Sequence, residues 1–178
     1  MERKAAWAAR AGTAAADTGS VEWAERRIAA VKEFISVSDH TPIPLAFDTT
    51  FLSEVVRGYP DLINIVRRFD AEKQPMVIPA LAIVGASLDS RSSEAADALY
   101  GMALLESVEI APLAGPKQGI ALAEVIARTD LEPWDAHVAA VAIAAICPIL
   151  TLKAARWEEP ARSLGEPLYI CEIADPTG

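Results

Sequence analysis

Two cysteines in 178 residues, Cys147 and Cys171, are too few for a disulfide framework and form no CxxC metal or redox pair. The charged start, Met1 to Arg10, has no apolar h-region after it, so no secretory leader is expected. Reduced thiols in a cytoplasmic protein are therefore the expectation. No apolar run reaches the roughly 18 residues of a transmembrane helix, which argues against a membrane partner. Two histidines, His40 and His137, make no zinc constellation. No GxGxxG and no GxxxxGK[ST] is present, so a Rossmann cofactor and a P-loop lack support. Gly85-Ala86-Ser87-Leu88-Asp89 lacks the closing glycine of a nucleophile elbow and falls inside a helical pattern. Aromatic residues are scarce at 6%, which favours Ala-rich packed helices over an all-β fold, and four scattered tryptophans form no base-stacking platform.

Basic charge is also short. The net charge is −9, and residues 41–178 carry all of it, with 10 basic and 19 acidic side chains. Such a surface does not draw phosphates from a distance; nucleic-acid binding would need a local basic patch or a bound divalent cation.

What is present is a core. The composition is 52% hydrophobic, enough for one domain with an extension. Residues 1–43 read as a helical extension and linker. Ser20 is suited to cap a helix over 21–36, where Ala24, Ile28, Val31 and Ile35 recur at helical spacing. That stripe needs cover from the main domain, a partner chain or a second copy, and a homo-oligomer is expected. Residues 44–178 alternate short apolar strands with helices. Strands are expected to end at Asp48 and to lie at 76–78, 108–110, 148–151 and 168–171. Helices are expected after Asp48 up to Gly58, from Pro60, from Pro79 towards Leu88, from Ser92 or Ser93, over about 117–128, and from Pro133 to about 146. This order requires an α/β fold, a three-layer α/β/α sandwich with a mostly parallel sheet.

Carboxylates stand at telling places in that pattern. Asp48 leaves the first strand in Pro44-Leu45-Ala46-Phe47-Asp48-Thr49-Thr50, at the edge where open α/β sheets bind ligands. Asp135 is the third residue of a late helix that begins at Pro133. Close carboxylates repel, and a divalent cation relieves that repulsion and can lower the pKa of a bound water. Both acids also suit ordinary roles, Asp48 as a helix N-cap and Asp135 as a first-turn acid. His137 falls on a different helical face from Asp135 and is expected to pack or to lie at the surface.

With Phe47-Asp48-Thr49, Val77-Ile78-Pro79-Ala80-Leu81, Asp135-Ala136-His137-Val138-Ala139-Ala140 and Ile149-Leu150-Thr151 in this order, the chain resembles the PIN-domain family over about 44–171. That family includes the toxin ribonucleases of bacterial toxin–antitoxin pairs. The resemblance implies an α/β/α sandwich, Mg²⁺ or Mn²⁺ held by acidic side chains, RNA hydrolysis and an antitoxin or other protein partner. Asp48 matches the family's first acid and Asp135 its third, as catalytic and metal-binding residues. The second acid is normally a Glu where this chain has Gly85, and the fourth an acid or Asn where it has Lys153. Gly85 is expected to remove a ligand and leave a gap. Lys153 is expected to pair with Asp48 or Asp135 and supply the metal's charge internally. Glu54, Asp89 and above all Asp130 are the candidate substitute metal ligands. Two functions follow from the resemblance: a metal-dependent ribonuclease with an incomplete acidic site, or an inactive PIN-like protein that works by binding protein or nucleic acid.

Overall fold

Leu45, Ala46 and Phe47 have no solvent-exposed surface, so the first strand is buried on both faces, as a central strand of a covered parallel sheet must be. The computed structural model describes residues 42–173; the expected helix over 21–36 and residues 174–178 lie outside them. The strands are β1 (Leu45–Phe47), β2 (Met76–Pro79), β3 (Val108–Ala111), β4 (Ile149–Thr151) and β5 (Ile170–Glu172). The helices are α1 (Thr49–Arg57), α2 (Pro60–Ala71), α3 (Ala80–Ser90), α4 (Ser93–Ala103), α5 (Gly115–Arg128), α6 (Pro133–Ala145) and α7 (Glu158–Leu164). A 3₁₀ turn, Ala154–Trp157, precedes α7.

All strands pair in parallel, in the order β3-β2-β1-β4-β5. The result is the expected three-layer α/β/α sandwich. In β1, Leu45 lies opposite Met76 of β2, and Ala46 lies opposite Ile149 of β4. The chain steps outward from β1 to β3, then returns to lay β4 on the other side of β1. The order therefore reverses between β1 and β4, and the crevice beyond the carboxyl ends of those two strands is the preferred ligand position in such sheets. Asp48 follows β1 and Thr151 ends β4, so both stand at that crevice.

Local sequence explains most boundaries. Gly58 takes the left-handed conformation (φ 91°) that closes α1. The Gly58 N–H bonds Val55 O and the Tyr59 N–H bonds Glu54 O, the paired bonds of a Schellman motif. Pro60 opens α2 and Pro133 opens α6, where the missing N–H costs nothing. The Ser92 hydroxyl accepts the Ala95 N–H at 3.0 Å and caps α4. Phe47 and Phe51 pack with ring centroids 4.7 Å apart, tying β1 to α1.

Two expectations need correction. The last strand begins at Ile170, two residues later than the apolar run suggests. Pro167 has no N–H to donate, and the ladder opens with the Ile149 N–H bonded to Tyr169 O at 2.8 Å. Residues 154–164, where the sequence pattern predicts no element, form the 3₁₀ turn and α7. This segment buries Trp157 completely and carries Arg156.

Candidate functional site

Asp48 has no exposed surface and is surrounded by donors. As the N-cap of α1, its Oδ1 accepts the Phe51 N–H at 2.8 Å. The Thr50 hydroxyl donates to Oδ1 at 2.8 Å and lies 3.1 Å from Oδ2. From the end of β4, the Thr151 hydroxyl donates to Oδ2 at 2.6 Å, and the Trp157 indole N–H reaches the same oxygen at 3.3 Å. The Lys153 backbone N–H in turn donates to Thr151 Oγ1 at 3.0 Å. A relay of hydrogen bonds thus links the residues after β4 to the acid after β1. Asp48 is both the helix cap and the anchor of the crevice.

Asp135, third in α6, is also fully buried. Arg156 joins the two acids. Its Nη2 donates to Asp135 Oδ2, and its Nη1 lies 3.9 Å from Asp48 Oδ2. The guanidinium also lies 5.8 Å from the centre of the Trp157 ring, within cation–π range. Burial raises the pKa of Asp135, and the Asp48 charge adds to the rise. The Arg156 charge and the Thr49 hydroxyl oppose it. The Thr49 hydroxyl lies close to the Asp135 carboxylate, and Thr49 Oγ1 and Asp135 Oδ1 are both buried with no other hydrogen-bond partner.

Arg156 takes the role expected of Lys153. The Lys153 side chain is exposed, and only its backbone N–H takes part, through Thr151. The spacing that singles out position 153 assumes that the chain runs straight on from β4. Instead the 3₁₀ turn folds back and brings Arg156 inward while Lys153 turns out.

Gly85 leaves no gap. A Cβ at position 85 would stand 2.7 Å from Trp134 Cγ and 2.9 Å from Thr49 Cγ2, so α3 and α6 meet there with the indole pressed onto bare backbone. Trp134 precedes Asp135, and its ring fills the space that any side chain at position 85 would have to enter.

The candidate substitute acids do not join the pair. Glu54 and Asp89 both bind Arg57 at the surface, Asp89 at 2.6 Å. Asp130 is exposed, on the rim of a cavity of about 400 Å³ that Arg156 also lines. No group of three or more His, Cys, Asp or Glu side chains suited to a metal ion occurs among the described residues. The donors fit a resident Mg²⁺ or Mn²⁺ poorly. Both Asp48 oxygens already accept hydrogen bonds, and a fixed guanidinium stands where a cation would need to bridge the acids. Of the four Asp48 and Asp135 carboxylate oxygens, Asp135 Oδ1 alone has no partner beyond the nearby Thr49 hydroxyl.

His137, two residues on, is buried and does structural work. Its Nδ1 accepts the Leu81 N–H at 3.3 Å, capping the start of α3, where Pro79 offers no side-chain acceptor. Burial lowers its pKa, which keeps Nδ1 an acceptor. Cys147 and Cys171 are buried free thiols; burial raises both pKa values, that of Cys171 to about 11, so neither is a ready nucleophile. No described helix is long and apolar enough to cross a membrane. No protein-family profile matches the sequence, and no curated protein matches it.

Proposed function

We propose that the chain is a PIN-like domain that works by binding a protein partner, with its nuclease centre converted into a structural ion cluster. One observation carries this reading: Arg156 bonds Asp135 and faces Asp48, so a positive charge from within the chain stands between the two acids. Metal-dependent hydrolysis needs acids free to hold the ion, and these two are committed elsewhere. The acidic balance of residues 41–178 favours a protein over a phosphate backbone as partner. A second copy of the chain and an antitoxin-type protein both fit that class.

The ribonuclease reading keeps one observation in its favour: Asp48 and Asp135 meet at the topological switch point, where this architecture places its ligands. Incubation of labelled RNA with Mn²⁺ separates the two. The binding reading expects no cleavage above that of Asp48→Asn. Metal-dependent cleavage by the unaltered protein, lost in Asp48→Asn, would restore the nuclease.

A further inference from the structure

We infer that the cavity between α5 and α6 binds a small apolar molecule ending in one carboxylate, which the His137 Nε2–H receives. The inference goes beyond the binding role proposed above and shares no residue with the acidic centre. The cavity measures about 470 Å³, within the usual size of ligand pockets. One wall is a stripe of α6 at helical spacing, His137, Ala140, Val141, Ala144 and Ala145, whose mostly small side chains leave the space open. His137 is the polar group built into this wall. It is only 3% exposed, and its Nδ1 is engaged by the Leu81 N–H. With Nδ1 accepting, the neutral ring carries its proton on Nε2. Burial lowers the pKa of the ring and holds that neutral form. Nε2 has no partner among the described residues and is not among their sealed polar atoms, so it opens into the cavity. A half-enclosed donor in an apolar wall suits a ligand oxygen. Charge selects which oxygen. Lys117 and Gln118, in the first turn of α5, line the same cavity. That helix start has no acidic residue and no side-chain cap, so both the ammonium and the helix dipole favour a carboxylate there. Glu109 is the acid on the lining, and it disfavours a second negative charge on the ligand.

Phenylacetate titrated into the full chain, with the imidazole nitrogens followed by nuclear magnetic resonance, tests this. Saturable binding with a Kd of about 1 mM or tighter is expected, with the Nε2–H signal shifted and Nδ1 still unprotonated. Neutral phenylacetamide should bind at least about five-fold more weakly, because the ammonium and the helix dipole no longer contribute. His137→Gln should bind phenylacetate about ten-fold more weakly. Ala140→Leu, which fills space one turn from an intact His137, should abolish the binding. Should His137→Gln unfold, Ala140→Leu and the Nε2–H shift of the unaltered protein decide. No saturable binding up to about 10 mM overturns the inference, as does binding that leaves the Nε2–H signal unmoved. Equal affinity for phenylacetamide, or full binding by a folded Ala140→Leu protein, overturns it too. These readouts involve neither RNA nor the acidic pair, so failure here leaves the binding role standing, and nuclease activity would leave this site standing.

Discussion

Trp134 lies against Gly85 so closely that a methyl group at position 85 would meet its Cγ at 2.7 Å. Helix propensity alone favours Ala over Gly by about 1 kcal/mol. Overpacking a fitted contact costs about 1–3 kcal/mol, so the steric cost should win. Gly85→Ala is expected to be less stable by about 1 kcal/mol in urea unfolding. Adding Trp134→Leu should relieve the loss, giving a favourable coupling in a double-mutant cycle. A Gly85→Ala protein more stable than the original would show that the indole yields without cost.

Arg156→Ala leaves two buried carboxylates facing each other. Loss of one partner from a buried ion pair typically costs 3–5 kcal/mol; with the Arg156 side chain 29% exposed, about 2–3 kcal/mol is expected. Chemical denaturation in metal-free buffer measures it. Lys153→Ala, by contrast, should change stability by less than about 0.5 kcal/mol, because that side chain faces solvent.

His137 gives stability that depends on pH. Its native pKa is lowered by burial, so its contribution is complete above the unfolded value of about 6.5 and is lost as pH falls through the native value. Nuclear magnetic resonance should show an imidazole that titrates below 6.5. In His137→Gln, the part of the stability loss between pH 7 and 5 that belongs to this group should vanish. An imidazole titrating at or above 6.5 would place His137 outside the buried cap.

Asp135 runs the other way. Its native pKa is raised, so relative to Asp135→Asn its stabilising contribution is fully present below the unfolded value of about 3.9 and is lost as pH rises through the native value. Paired urea titrations should show the unaltered protein losing ground to Asp135→Asn as pH climbs from 3.5 upward. A gain over that range would mean that the Arg156 attraction outweighs burial.

Thr151→Val keeps the shape of the side chain but removes the bond to Asp48 Oδ2 and the acceptor for the Lys153 N–H. A loss of about 1–3 kcal/mol is expected, since buried polar groups are left unpaired. Thr151→Ser should recover most of it.

The sheet was legible because its strands are short apolar runs separated by strong punctuation at Gly58, Pro60, Ser92 and Pro133. Asp48 and Asp135 were legible because each stands at a strand end or helix start, positions that local sequence defines. Arg156 was not. Its partners lie 21 residues away at Asp135 and far back along the chain at Asp48, and no spacing rule connects them. Lys153 drew attention by holding a motif position, yet the fold-back of Ala154–Trp157 decides which cation turns inward. Trp134 was hidden for a similar reason: a close approach between two helices leaves only a bare glycine as its mark, and Gly85 reads equally well as a missing side chain.

The bond from Thr151 to Asp48 spans 103 residues, and that from Trp157 spans 109. Asp48 can cap its own helix through Thr50 and Phe51 at once, but its partners at the sheet's carboxyl edge come only from the chain at and beyond β4. Closure of the centre depends on long-range contacts, of the kind that slow folding and prolong exposure of half-formed sheet edges. The residues after β4 act as a clasp. A break or truncation there should leave the earlier strands and helices with most of their apolar surface in place and their charges unreconciled.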